Sequence, residues 1–319
     1  MTAKTVLISG AGQLGSRYLQ GFGACRLPLQ IHVHDIYPDS LAMAQARWLE
    51  VATPATHHRV TFHSSLGRIP SQLDIAVVAT TASVRPQVIR EIGNHAGVQF
   101  WILEKVLAQS EAGLNEIVAQ VGLDAKAWVN TPRRMLDWHQ QIKAHLRPGH
   151  PMRLKVSGTG WGLACNSIHF LDMFAWWTGE TLASLNTDAL ARAWFESKRP
   201  GNWEVMGTLT AVFSGGSSVA LAAKNGELFY QFELDDGTDH WTINEDGGIA
   251  TRSDGLNLPG RLPFQSEVSG ALVETILSKG TCELPTLAQS LAIHRPFIAG
   301  LLAHWRATVD PQANSVPIT

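Results

Sequence analysis

Through about residue 128, short apolar runs alternate with stretches in which apolar residues recur every three or four places. The runs are Val6-Leu7-Ile8, Leu29-Gln30-Ile31-His32-Val33-His34, Ile75-Ala76-Val77-Val78-Ala79 and Val98-Gln99-Phe100-Trp101-Ile102-Leu103. Short runs closed by polar residues fit strands buried on both faces of a parallel sheet. Between them, Leu14, Tyr18, Leu19 and Phe22 fall on one side of a helix, as do Leu41, Ala44 and Trp48 within Asp39 to Trp48. Val60-Thr61-Phe62 adds a short strand, and Pro86 to His95 another helix. Strand and helix in alternation predict a doubly wound parallel α/β domain over residues 1–128.

The pattern then changes. Asn130-Thr131-Pro132 opens a helix, with Thr131 as N-cap, Pro132 at the first helical position, and Met135, Trp138, Ile142 and Leu146 on its apolar face. Met152 to Ser157 alternates apolar and polar residues, as a sheet with one wet face does. From Met206 come strands at Gly207 to Phe213, Ser217 to Ala223, Leu228 to Leu234, His240 to Ile243 and Gly248 to Thr251. They are punctuated by Gly215-Gly216, Asn225-Gly226, Asp236-Gly237 and Asp246-Gly247-Gly248, which are hairpin signals. A largely antiparallel open sheet of about six strands is expected. With the helices Ser266 to Ser278 and Leu287 to Arg306 it makes an α+β domain over 129–310, followed by a loose tail, 311–319.

The first turn carries candidate chemistry. Gly10-Ala11-Gly12-Gln13-Leu14-Gly15 joins the first strand to the first helix with glycines at the three positions of a dinucleotide fingerprint. Gly10 allows the tight turn, Gly12 the approach of a pyrophosphate, and Gly15 close packing of helix on strand. The phosphates would meet the helix N-terminus, with Gln13 and Leu14 in its first turn. Asp35 closes the second strand, where an acidic side chain hydrogen-bonds the adenine ribose. Its charge repels a 2′-phosphate, and Ile36-Tyr37 brings no cation to offset it, so the expected cofactor is NAD. Thr80 and Thr81 follow the Ile75–Ala79 strand, whose end belongs beside the glycine turn.

Composition narrows the alternatives. The chain has 319 residues, 45% hydrophobic and 16% charged, with a net charge of −2. It has no basic excess for nucleic acid and no polybasic patch for a membrane. Its clean apolar runs are too short to cross a bilayer, and its first strand begins too early for a signal peptide. Cys25, Cys165 and Cys282 are too few and scattered for a disulfide framework or zinc cluster. The chain reads as cytoplasmic. His32 and His34 share a strand face and His57-His58 form a loop pair. Neither offers three or four convergent ligands, so no metal site is expected.

After the fifth strand stands Glu104-Lys105-Val106, and further on a glycine-rich approach, Gly158 to Gly162, leads into Cys165-Asn166-Ser167-Ile168-His169-Phe170-Leu171-Asp172. Trp176-Trp177 and Gly179 follow. These stretches resemble the Gfo/Idh/MocA oxidoreductases, the glucose–fructose oxidoreductase and inositol dehydrogenase family. Members typically carry Glu-Lys-Pro, then Asp-x-Gly-x-His-x-x-Asp before an aromatic run. Here Val106 replaces the proline, Cys165 the first aspartate and Ser167 the glycine. The loop usually reading Thr-Pro-Asn-x-x-His is Thr80-Thr81-Ala82-Ser83-Val84-Arg85. The resemblance implies a Rossmann domain binding NAD, with Lys105 directed at a small-molecule substrate beside the nicotinamide. It also implies a homodimer or homotetramer packed through the C-terminal sheet.

The expected reaction is hydride transfer between NAD and a secondary alcohol or ketone of a sugar, polyol or nucleotide-linked sugar. Lys105 would be the acid/base, its pKa lowered by desolvation and a nearby cation. Glu104 would serve as its partner or anchor, and His169 would hydrogen-bond the reacting oxygen or share the proton. Cys165, His169 and Asp172 share one helix face. Asn166 and Arg134 would orient the substrate, Arg133 or Arg134 acting as a fork for a carboxylate or phosphate. Cys165 packs as a small hydrophobe beside them. Two other readings are an NAD-binding regulatory or scaffold protein without catalysis, and an aldehyde or semialdehyde dehydrogenase using Cys165 as nucleophile.

Overall fold

The computed structural model of the protein describes residues 2–52, 57–147 and 149–319. The chain forms two compact units, Met1–Ala108 with Ala112–Asn130 and Pro263–Ala288, and Gln109–Glu111 with Thr131–Leu262 and Gln289–Thr319.

In the first unit the chain order is β1 (Lys4–Ser9), α1 (Gln13–Phe22), β2 (Leu29–His34), α2 (Pro38–Leu49), β3 (Arg59–His63), β4 (Gln72–Val78), α3 (Arg85–His95), β5 (Gly97–Leu103), α4 (Glu111–Val121) and β6 (Ala127–Val129). The six strands are parallel, in the order β3-β2-β1-β4-β5-β6. Val6, Leu7, Ile8, Ile75, Val77, Ile102 and Leu103 are completely buried, as expected of strands covered on both faces. The order reverses direction at β1, so the crevice between β1 and β4 is the topological switch point.

The second unit contains α5 (Asp137–His145), β7 (Arg153–Thr159), α6 (Leu163–Thr178), β8 (Leu182–Asn186), β9 (Leu190–Glu196), β10 (Trp203–Phe213), β11 (Ser218–Lys224), β12 (Phe229–Asp235), β13 (His240–Asn244), β14 (Ile249–Arg252) and β15 (Asn257–Pro259). Its nine strands run β15-β14-β13-β12-β7-β11-β10-β8, with β9 also paired to β10. Among the described residues of this sheet, only the β7–β11 pairing is parallel. Leu154, Val156, Leu209, Leu221, Phe232, Leu234 and Trp241 point into the core. Arg153, Lys155, Thr210, Val212, Glu233 and Thr242 alternate with them on the exposed face.

Several details depart from the sequence reading. β8, β9 and β15 escape the hydrophobic pattern because they are edge or near-edge strands; Leu182 in β8, and Leu190 and Trp194 in β9, are their only buried apolar residues. The helix expected at Thr131 starts later: Pro132–Met135 is a single 3₁₀ turn, and α5 begins at Asp137. Thr131 caps nothing and instead donates to Asp172 (2.8 Å).

The helix α7 (Gln265–Lys279), expected in the second domain, belongs to the first unit, where it crosses α1. A Cβ on Gly270 would lie 2.5 Å from the Gly21 carbonyl oxygen, so the two backbones touch. The last helix, α8, is Leu287–Thr308. The segment 311–319 is no loose tail. Val316 and Ile318 are fully buried, and the Val316 N–H donates to Gln109 O (2.9 Å) while the Trp203 N–H donates to Pro317 O (2.7 Å). Two apolar residues among prolines carry no periodicity that would reveal this.

Candidate functional site

The register of the parallel sheet brings five strand ends level. Ser9 faces both His34 and Val78, Val78 faces Leu103, and Leu103 faces Val129. The residues that follow, Gly10, Asp35, Ala79, Glu104 and Asn130, therefore lie along one edge, where open α/β sheets bind ligands.

Each glycine of the first turn meets a different constraint. Gly10 has φ +92°, and a Cβ there would strike the Ala79–Thr80 peptide at 2.8 Å. A Cβ on Gly15 would sit 1.7 Å from the Gly10 carbonyl oxygen, so only glycine lets α1 start this close to the turn. At Gly12 a Cβ would meet no atom within 4 Å. The first and third glycines are thus required by the protein's own packing. The second leaves a backbone surface bare at a helix N-terminus, which suits a pyrophosphate. Arg47 of α2 holds Gln13 in this first turn through its carbonyl (2.9 Å) and side-chain oxygen (2.6 Å), and Leu14 is half-buried beside it.

Asp35 accepts the Ala11 N–H (2.7 Å) and the Tyr37 N–H (2.9 Å), so its carboxylate is fixed against the glycine turn. It stays half-exposed, with Ile36 and Tyr37 beside it facing solvent. Across the switch point, Thr80 Oγ1 is buried without a hydrogen-bond partner, a polar atom left for a ligand to satisfy. Thr81 is exposed, and its carbonyl receives the Arg85 N–H at the start of α3 (3.1 Å). A bare glycine, a fixed acid and an orphaned hydroxyl fit a dinucleotide. His34 lies beneath, hydrogen-bonded to Ser9 (3.1 Å), while His32 pairs with His63 (3.2 Å). Among the described residues no group of three or more His, Cys, Asp or Glu is arranged to hold a metal.

At the end of β5, Glu104 is 3% exposed and accepts Tyr18 Oη–H and Asn130 Nδ2–H through Oε1, both at 2.7 Å. Burial pushes its carboxyl up, and those two hydrogen bonds pull it back only in part. Glu104 is an anchor, tying α1 to the ends of β5 and β6. Lys105 next to it is half-buried, between this anchor and the fully buried Val106, Leu107 and Ala108. The Lys105–Val106 peptide is cis. Arg85, 1% exposed, donates to the carbonyls of Thr80, Val106 and Leu107.

In the second unit the polar face of α6 is found on its first two turns. Cys165, Asn166 and His169 are half-buried. Asn166 commits its Nδ2 to the Trp161 carbonyl (2.5 Å). Asp172 continues the same line but is buried. Glu204, reaching from β10, accepts the N–H groups of Ala164 (2.7 Å) and Cys165 (3.2 Å). A carboxylate is thus set on the helix N-terminus, where the dipole favours it. Glu204 is 40 positions from Ala164 and carries no local signal in the sequence.

Arg134 does not present a fork to a ligand. Its Nε and Nη2 both bind the Asp172 carboxylate (2.8 and 2.6 Å), and the pair is buried. A guanidinium satisfied in this two-pronged way inside the fold is structural. Arg133 is equally engaged. It binds Glu245 through two bonds (2.7 and 2.6 Å) and lies over the Phe170 ring at 4.6 Å. Glu245 also accepts from His139 (2.8 Å) and Tyr230 (2.9 Å). In the sequence Glu245 sits in an ordinary turn, Asn244 to Gly248, so nothing marks it as buried.

This cluster makes stability sensitive to acid. Burial opposes the Glu245 charge, but Arg133 and His139 outweigh it and hold the carboxyl well below the usual carboxylate range. Burial holds His139 below its ordinary value. Both groups bind protons more readily unfolded than folded, so stability is full above the unfolded values and falls as pH drops. We expect the melting temperature to decline from about pH 6.5 and more steeply below about pH 4.5. Glu245→Gln, leaving Arg133 unpaired, should lose about 3–5 kcal/mol at neutral pH and show a flatter acid limb in thermal melts. Parallel melting curves for the two proteins would remove Glu245 from this role.

No protein-family model matches the sequence, and no curated protein matches it significantly. Solved structures do match in fold. UDP-N-acetylglucosamine 3-dehydrogenase from Acidithiobacillus ferrooxidans superposes with a TM-score of 0.70 at 12% identity, over 98% of this chain and 99% of that one. The myo-inositol dehydrogenase of Lactobacillus casei, solved with NAD(H) and myo-inositol, gives 0.68 at 13% identity over 96% of each chain. The scyllo-inositol dehydrogenase of the same organism, with NAD(H) and scyllo-inositol, gives 0.65 at 14% identity over 95% and 97%.

Proposed function

We propose that this protein is an NAD(H)-dependent oxidoreductase of the Gfo/Idh/MocA type, acting on a secondary alcohol or ketone of a sugar, polyol or nucleotide-linked sugar. The observation that carries the reading is the glycine turn at the switch point. Gly12 is bare where packing does not require a glycine, with Asp35 fixed on one side and the orphaned Thr80 hydroxyl on the other. The similar folds solved with NAD(H) and an inositol support it.

Gly10, Gly12, Gln13, Leu14 and Gly15 would hold the pyrophosphate, and Asp35 and Ile36 the adenosine half. Thr80 and Thr81 would line the strand end beside them. When bound, NAD supplies the hydride acceptor or, reduced, the donor. Lys105 takes the hydroxyl proton in the oxidation and returns it in the reduction. Glu104 fixes the backbone from which Lys105 extends. On α6 of the second unit, His169 and the Asn166 Oδ1 would hydrogen-bond hydroxyls of the substrate, with Cys165 as a small neighbour on the same face. Arg134, spent on Asp172, has no part in substrate binding. The exposed sheet face bearing Arg153, Lys155, Thr210 and Glu233 is the surface we assign to packing a second copy into a dimer or tetramer.

The test is to incubate the protein with NAD⁺ and a panel of inositols, aldoses and sugar nucleotides, and with NADH and the matching ketones, following absorbance of the reduced cofactor. Turnover of a member of this panel is expected. Saturable NAD binding with no turnover would favour the non-catalytic binder.

A further inference from the structure

Arg85 has no place in that reaction, yet it is among the largest fully buried side chains of the protein. A guanidinium has five N–H donors and no acceptor, and burying one is costly unless its charge and donors are met. Here three backbone carbonyls accept from its Nη1 and Nη2 groups. Thr80 belongs to the loop leaving β4, while Val106 and Leu107 belong to the loop leaving β5. The two strands are neighbours in parallel register, with the Glu104 N–H donating to Val78 O (3.1 Å). Past that bond the strand ladder ends, and Arg85 takes over as the tie between the loops. Its charge is felt at Glu104, where it opposes the effect of burial.

We propose that Arg85 is a positioning residue for Lys105, holding the Lys105 loop at a fixed distance from the Thr80 loop and setting a buried positive charge against the carbonyl of Val106, the residue next to Lys105. This rests on the reading of Lys105 as the acid/base. A cation near an amine lowers its pKa and brings it closer to the range in which it can exchange protons at neutral pH. One side chain thereby sets both the place and the proton affinity of the group. Only arginine spans three carbonyls from a single buried position, because its donors diverge in one rigid plane.

The experiment reads Lys105 directly and needs no substrate. Wild type, Arg85→Lys and Arg85→Met are acetylated with trace acetic anhydride across a pH series, and labelling of Lys105 is followed by peptide mass spectrometry. Backbone hydrogen exchange is measured on the same proteins. Arg85→Met should raise the labelling midpoint of Lys105 by about half a pH unit. Exchange over residues 80–84 and 105–108 should speed up at least about tenfold, while β1 and β4 stay protected. Arg85→Lys, keeping the charge but not the divergent donors, should hold the midpoint near wild type and loosen the loops. If Arg85→Met does not fold, Arg85→Gln removes the same charge and is read in the same way. An unchanged midpoint and unchanged exchange in the uncharged variant would overturn the proposal, as would equal midpoint shifts in the lysine and uncharged variants. Because neither readout depends on turnover, a protein that is active without Lys105 would defeat the functional reading separately.

Discussion

Gly12→Val should fold normally and lose most of its affinity for NAD. A side chain at this position enters open space, since a Cβ there meets no protein atom within 4 Å. The backbone at Gly12 is extended, with φ −62° and ψ −159°, and its φ is not one reserved for glycine. Stability should therefore stay within about 0.5 kcal/mol of wild type, as for a surface substitution. The space the valine fills is the space a pyrophosphate needs against the N-terminus of α1. Affinity for NAD⁺ should fall at least about 100-fold, or about 2.7 kcal/mol, in a calorimetric titration. Gly15→Ala offers the contrast. Its Cβ would overlap the Gly10 carbonyl oxygen at 1.7 Å, so that variant should lose binding and stability together. A Gly12→Val protein that binds NAD⁺ like wild type would remove the glycine turn from cofactor binding.

Lys105→Met should cut turnover at least about 1,000-fold, within the range attributed to a positioned general acid or base. Methionine keeps much of the stem's length and apolar character, so the loop packing of Val106 to Ala108 should survive. NAD⁺ affinity should change by less than about threefold, because the glycine turn, Asp35 and Thr80 are untouched. The comparison uses whichever alcohol or ketone of the panel wild type turns over best. An equally active Lys105→Met enzyme would mean that another group moves the proton.

The parallel sheet was legible because its strands are buried on both faces, which leaves short, dense apolar runs closed by polar residues and separated by helical stretches. The glycine turn was legible for a similar reason: packing and backbone geometry at Gly10 and Gly15 can be met by one residue type. The second unit hid more. β8 and β9 bury one or two residues each, so their sequences read as loop. Glu204, Glu245 and Tyr230 act through partners far along the chain, and their own neighbourhoods look like ordinary strands and turns. Arg134 shows the opposite failure. An arginine pair near a helix start looked available, but Asp172, 38 positions away, had already claimed the second of them. Arg85 seemed a departure from a family loop and is instead a buried tie between two loops.

Calorimetric titration of the wild-type protein with NAD⁺ and NADP⁺ tests most directly whether the first turn holds an NAD dinucleotide. One saturable site for NAD⁺ is predicted, with NADP⁺ at least about tenfold weaker because the charge of the fixed Asp35 carboxylate would repel a 2′-phosphate. A protein that shows no saturable complex with NAD⁺, or that binds NADP⁺ more tightly, would contradict the account.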